Sequence, residues 1–376
     1  TEYLLQDLGW PVNHPLSRGL EDLDGRGWNE AAVLRVSDQP AGHRVVVLDP
    51  GTGTVLREIG LSDDVSAVDM AVLPSFGGTA ASEIAVLTWR AVGGAIRVFV
   101  HDAMSGARLS SIGFPTGFPK AILMVPDFGG TSAPEILVFG TTPAGAIKVW
   151  IKDARSGALL ANLTFPKYLP GAVAVVPSFG GTAAPEVAVA ATDPATDDAH
   201  LLVKDGRSGA DLGRHALPRL FTPNAATPVR SFGGGGADEV AVLGLELPVG
   251  IPELHVVDPE SGALLRSRRF ADSFEPRGLA TVEDYAGTPA DEVAILGIRT
   301  LNLANRILVV DTSSGAVLTA ATLPSQDRSL ALDAVADQAG SNAPDLLVVT
   351  SSPRDGVIRL FVKDARGAQL RSLVVE

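Results

Sequence analysis

The sequence predicts an all-β fold, a seven-bladed β-propeller with four antiparallel strands per blade, and three observations carry that prediction. One short pattern recurs seven times: a small residue pair, usually Gly-Gly, followed by an acid that opens an apolar run. The acids are Glu30, Glu83, Glu135, Glu186, Glu239, Glu292 and Asp345, spaced 51 to 53 residues apart. A second marker, Asp-x-x-x-Gly, keeps step with it at Asp49–Gly53, Asp102–Gly106, Asp153–Gly157, Asp205–Gly209, Asp258–Gly262 and Asp311–Gly315, shortened at Asp364–Gly367. The segments between markers are short, apolar and bounded by Gly or Asp, too short for helices. Copies of one small unit at a fixed period must stack to bury their apolar faces, and a period of about 50 residues indicates a propeller or a solenoid.

The second repeat shows the four strands in order. Residues 67–76 (AVDMAVLPSF) form an apolar run ended by Gly77-Gly78, and residues 83–89 (EIAVLTW) form a second, bounded by Gly93-Gly94. Residues 96–101 (IRVFVH) alternate apolar and polar side chains, the period-two signature of a half-buried strand. After the turn at 102–106, residues 108–114 (RLSSIGF) make the fourth. Short runs rich in Val, Ile and Phe, separated by Gly and Asp turns, read as an antiparallel meander. Radial repetition of such sheets leaves only short, protected edges. The repeats are expected at 11–61, 62–114, 115–165, 166–217, 218–270, 271–323 and 324–376, with innermost strands after the Pro-rich connectors, as at 121–125, 172–176 and 330–335. A β-helix is the competing architecture, but its coils are shorter and lack four alternating segments.

One strand is in surplus. Residues 369–375 (QLRSLVV) fill the fourth slot of the last repeat, yet residues 3–10 (YLLQDLGW) have the same pattern. Residues 1–10 are therefore expected to pair with the last blade as a closing clasp, or to offer an edge for self-association by strand addition.

Both markers have local explanations. Gly-Gly supplies positive φ angles at little steric cost. The Asp of Asp-x-x-Ser-Gly accepts N–H bonds from residues just ahead of it. A ring of seven carboxylates holding a ligand is the competing reading; recurrence at the same hairpin of each blade favours the structural one.

The segments 76–83 (FGGTAASE), 128–135, 179–186 and 232–239, with divergent copies at 285–292 and 338–345, resemble the FG-GAP and VCBS class of propeller repeats, found in integrin α-subunit heads and many bacterial surface proteins. The resemblance spans essentially the whole chain and implies a secreted, periplasmic or cell-surface protein. Members of the class often carry a calcium loop, Asp-x-Asp-Gly-x-Gly-x-x-Asp. Only the first repeat keeps most of it, at 22–30 (DLDGRGWNE). A single calcium ion, if present, is expected on Asp22, Asp24 and Glu30. Arg26, however, puts a cation where an oxygen ligand is usual, and calcium wants six to eight oxygens. The other six loops lack these ligands, so folding is expected to need no cofactor.

Composition narrows the function. The chain of 376 residues has 43 acids against 30 bases and a net charge of −13, which argues against a nucleic-acid partner. No apolar stretch approaches the roughly 18 residues of a membrane span, so membrane insertion is not expected. There is no cysteine, hence no disulfide framework. Thr1 opens the chain without Met or a signal peptide, which is read as a trimmed product and favours export. The six histidines are scattered over different repeats, and no nucleophile elbow or phosphate loop occurs.

The expectation is therefore a non-catalytic interaction or scaffold propeller that binds a protein partner or assembles with itself. A carbohydrate-binding, lectin-like propeller is the first alternative, although 4 Trp and 3 Tyr give few sugar platforms. A hydrolase or lyase at the channel mouth is the second. In an antiparallel meander the loops between strands two and three share one end with the connectors between blades. That end varies: compare 114–120 (FPTGFPK), 165–170 (FPKYLP) and 217–224 (LPRLFTPN) with 192–198 (TDPATDD) and 244–252 (GLELPVGIP). Binding is expected there, because function sits on loops held by a rigid scaffold. Arg18, Lys120, Arg277 and Arg328, read as lying just before inner strands, are the candidate ligand contacts; ordinary solvated charges are the competing reading.

Overall fold

The structure is a computed structural model that describes residues 16–375, apart from 28, 36–41, 63–64, 91, 130, 234, 271–273, 284–286, 289, 300–303, 324–326, 338–339, 341–342 and 353–356. The described residues form 28 strands and no α-helix. Each run of four consecutive strands makes one antiparallel sheet in chain order, giving seven sheets. This is the predicted all-β, seven-bladed propeller. The blades span 16–60, 66–114, 118–165, 169–216, 221–269, 274–322 and 328–375. The chain divides into two compact units after Thr164, blades 1–3 in the first and blades 4–7 in the second. The expected N-terminal strand at 1–10 lies outside the described residues. Gln369–Val375 is the fourth strand of blade 7, paired with Ile358–Asp364.

Burial decides which residue types each strand carries. In blade 2 the second strand, Glu83–Trp89, is covered on both faces, so its apolar run is continuous. The fourth strand, Arg108–Phe114, is largely open to solvent and can hold Arg108, Ser110 and Ser111. The core lies between successive blades of a unit. Leu73, Leu87 and Val98 of blade 2 pack with Ile122, Ile136 and Trp150 of blade 3. In the second unit Val176 and Val203 of blade 4 pack with Phe221 and Val240 of blade 5, and Val282 and Leu296 of blade 6 with Leu346 and Phe361 of blade 7.

The first strands differ from expectation. They run Phe118–Val125, Leu169–Val176 and Arg328–Val335, beginning before the apolar runs at 121, 172 and 330. In blades 2 to 7 each first strand carries a β-bulge, leaving one residue without a ladder partner: Val68, Lys120, Gly171, Asn224, Arg277 and Leu330. The extra residue breaks the period-two pattern, and the Pro-containing beginning Phe118-Pro119 still pairs, with Thr141 and Gly140.

Gly78 shows why small residues mark the first loop. Its φ is +87°, and a Cβ there would meet Asp102 Oδ2 at 2.9 Å. Only the second glycine of Gly77-Gly78 and of Gly180-Gly181 has positive φ. The loop wraps around that Asp, which accepts Thr79 N–H and Oγ1.

Candidate functional site

The two recurring acids sit at one end of each blade and hold its turns. Asp153 accepts five hydrogen bonds: Oδ2 from Thr131 N–H (2.9 Å) and Oγ1 (2.6 Å), Oδ1 from Arg155 N–H (3.0 Å) and from Ser156 N–H (2.6 Å) and Oγ (2.8 Å). It thereby latches the loop between strands one and two to the hairpin between strands three and four. Asp102 and Asp205 do the same through Thr79 and Thr182. Although burial works against the charge, these bonds pull all three carboxyls down to about 2. Glu83, Glu135, Glu186 and Glu239 accept N–H bonds from the Phe-Gly pair of their own loops, as in Phe76 N–H and Gly77 N–H at 3.1 Å from Glu83. Burial outweighs the donors at Glu135 and pushes it up to about 7. In these blades the acids are taken up by their own turns.

Blade 1 departs from this. Asp22, Asp24 and Glu30 converge, with one carboxylate oxygen from each lying within 4.8 Å of the others. Glu30 is fully buried, and burial together with Asp24 and Asp22 pushes it up to about 7 against the Leu23 N–H bond. Asp22 Oδ1 accepts N–H from Gly25 (2.7 Å) and Arg26 (3.2 Å), and Asp22 Oδ2 from Gly27 (2.8 Å). Asp24 Oδ1 accepts Arg26 N–H (3.0 Å), and Glu30 Oε2 accepts Leu23 N–H (2.6 Å). Arg26 Nε lies 3.3 Å from Asp24 Oδ2, at ion-pair distance. Glu30 Oε1 and Asp24 Oδ2 are buried and accept no hydrogen bond. Three carboxylates with a guanidinium set against one of them are a poor match to the six to eight oxygens that calcium takes.

The four candidate cations are not brought to one register. All lie within first strands, not in connectors, because those strands start earlier than expected. Lys120 and Arg277 share the bulge position of their blades. Arg328 opens the first strand of blade 7, and Arg18 lies near the far end of its strand. Arg18 Nη2 pairs with Asp69 Oδ1 at 3.2 Å, and Asp69 Oδ2 accepts Ile122 N–H at 2.9 Å. One carboxylate thus ties the first strands of blades 1, 2 and 3, with Arg18 as its counter-charge. Arg277 pairs with Glu275 at 2.8 Å. Burial pulls Lys120 down to about 8.

The unusual backbone lies elsewhere, at the connector end of blades 4 and 5. Three described non-glycine residues have positive φ, and all are here: Lys167 (73°) in the connector before blade 4, Asp197 (57°) between strands two and three of blade 4, and Leu220 (60°) before blade 5. For side chains bearing a Cβ this region is sparsely populated and costs on the order of 1–3 kcal/mol per residue. Large apolar side chains stand open at the same end: Leu169 at the start of the first strand of blade 4, Leu220 in the connector before blade 5, and Leu247 and Val249 in the strand two–three hairpin of blade 5. Leu247 N–H donates to Leu220 O at 2.6 Å, so two of these loops are tied together. Arg219 reaches Asp198 at 3.8 Å. Arg214 lies over the Tyr168 ring at 5.6 Å and contacts His200 Nε2 at 3.1 Å. The sequence singled out these loops as variable but gave no sign of the left-handed residues, which carry no distinctive side chain.

A polar chain on blade 5 was not foreseen. Ser267 Oγ lies 3.0 Å from His255 Nδ1, and His255 Nε2 lies 3.2 Å from Glu253 Oε2. The order hydroxyl, imidazole, carboxylate is that of a hydrolase triad. Burial pulls His255 down to about 4, however, so the ring is a weak base at neutral pH. Register explains the grouping: His255 faces Ser267 across the ladder, and Glu253 is two residues along the same strand.

No protein-family model matches the sequence, and no curated protein matches it. Among solved structures, the β-propeller domain of Cps50 (Swd1) from Myceliophteria thermophila is similar over 93% of this chain and 96% of that one, with TM-score 0.56 at 13% identity. BBS1N, solved in complex with ARL6DN, is similar over 98% and 94%, with TM-score 0.56 at 12% identity. Kuenenia stuttgartiensis hydrazine synthase is similar over 88% and 91%, with TM-score 0.55 at 13% identity. At these identities the likeness is one of fold, shared by proteins of diverse roles, and it agrees with the seven four-stranded sheets: the chain is a seven-bladed β-propeller.

Proposed function

We propose that this chain is a non-catalytic protein-binding propeller that receives its partner at the connector end of blades 4 and 5. The observation that carries the reading is the coincidence there of left-handed Lys167, Asp197 and Leu220 with exposed Leu169, Leu220, Leu247 and Val249. Strained backbone persists where surrounding structure over-determines it, and it gathers at functional loops. Apolar side chains grouped on such loops, next to Tyr168 and Arg214, have the composition of an interface core with its aromatic and Arg anchors. The solved complex of BBS1N with ARL6DN supports a protein partner for a propeller in general terms. The FG-GAP and VCBS resemblance of the Phe-Gly-Gly loops, and with it a secreted, periplasmic or cell-surface location, belongs to the same reading.

The test is affinity capture from the native source with the wild-type chain and with L220D/V249D, both first shown to melt alike. The double variant is expected to lose at least one specific partner that the wild type retains. Identical captured proteins at equal yield would overturn this site. An eluted glycan in place of a protein would favour the lectin-like alternative.

A further inference from the structure

Arg26 occupies a defined place in the repeat. It stands four residues before Glu30, where Thr79 precedes Glu83, Thr131 precedes Glu135 and Thr182 precedes Glu186. Those threonines latch their loop to the Asp of the second hairpin at 2.6–3.1 Å. In blade 1 the corresponding Asp is Asp49, and Arg26 Nη1 lies 3.6 Å from its Oδ2. The same guanidinium lies 3.3 Å from Asp24 Oδ2 through Nε. One cation therefore faces two acids that belong to different turns, and it does so where the other blades use a hydroxyl.

The charge around it is excessive for a plain latch. Asp22, Asp24 and Glu30 gather within 4.8 Å, Glu30 is fully buried, and its Oε1 has no hydrogen-bond partner. Three carboxylates this close together, one of them buried, favour a positive charge beside them, and Arg26 supplies one against Asp24. We infer that the Arg26 guanidinium is the resident cation of blade 1: it stands in for a divalent ion in a loop otherwise built for one, and it keeps the wild-type chain independent of calcium. Replacing it with a carboxylate would remove the resident charge and add a fourth acid. The donors are all oxygens, with no His or Cys, and they sit on an irregular turn, so the ion it would then select is calcium. This inference is independent of the connector-end reading, since it concerns a turn at the opposite end of a different blade.

The test uses the full chain and three proteins: wild type, R26D and the neutral R26Q. Melting temperature is followed in EGTA, in calcium chloride and in magnesium chloride, and calcium binding is measured by titration calorimetry. Wild type is expected to melt alike in all three solutions. R26D should melt lower in EGTA and rise by roughly 2–4 °C in calcium, with little response to magnesium. R26Q, should R26D fail to fold, is expected to bind calcium at least about tenfold more tightly than wild type, because a unit positive charge beside the carboxylates is gone. A D22N change added to either variant should abolish the gain. Tight calcium binding by the wild type would overturn the inference, as would folded R26D and R26Q that bind no better than wild type.

Discussion

At the scale of single residues, the latch Asp shows how a repeated acid can be structural. Asp153 is fully buried yet ionised, because five donors surround it and no water is needed. Asp153→Ala leaves Thr131 and Ser156 hydroxyls and three backbone N–H groups without their acceptor, and should destabilise the protein by about 2–4 kcal/mol. Asp153→Asn, which keeps one acceptor oxygen, should cost less; urea unfolding midpoints of the two variants decide. The Asp turn and the loop-closing acid were legible in the sequence, since both act on neighbours close along the chain. The Asp-to-Thr latch was not, because Asp153 and Thr131 are brought together only by strand pairing. Arg26 shows the same divide: its misfit to a calcium loop could be read from the motif, whereas its approach to Asp49 needed the fold.

At the scale of strands, each position in the blade has its own tolerance. Trp150, on the third strand of blade 3, is 2% exposed and packs among residues of blades 2 and 3. Trp150→Ala should cost about 3–5 kcal/mol through lost burial and the cavity left behind. Leu264, which opens the exposed fourth strand of blade 5, is 48% exposed, and Leu264→Asp should stay within about 0.5 kcal/mol of wild type. Equal losses in thermal melts of the two variants would contradict this gradient. The strands themselves were legible from apolar runs and turn residues. The starts of the first strands were not, because a bulge inserts one residue and shifts the alternation that sequence reading relies on. For that reason Lys120 and Arg277 read as connector charges although they sit inside strands.

Over the whole molecule the repeated acids set a pH optimum. Glu135 binds its proton more tightly folded, at about 7, than at its ordinary 4.5, and Glu83 and Glu186 are raised in the same direction by burial. Stability from this set is therefore greatest at low pH and falls as pH rises from 4.5 through 7. Asp102, Asp153 and Asp205 run the other way, with stability complete above 3.8 and lost as pH falls towards 2. Their sum places the optimum on the acid side of neutrality, and unfolding in urea should show greater stability at pH 5.5 than at pH 8. A steady rise across that interval would show that the Glu carboxylates are ionised throughout. The bulge in six of the first strands has a different consequence, for engineering and descent. Val68, Lys120, Gly171, Asn224, Arg277 and Leu330 share one slot yet span aliphatic, basic, amide and glycine chemistry. Because that slot carries no ladder pairing, the exposed Asn224 and Arg277 can be varied by mutation without disturbing register, whereas Gly171 is fixed by its surroundings, since a Cβ there would meet Ala190 O and the Pro223 ring at 2.6 Å.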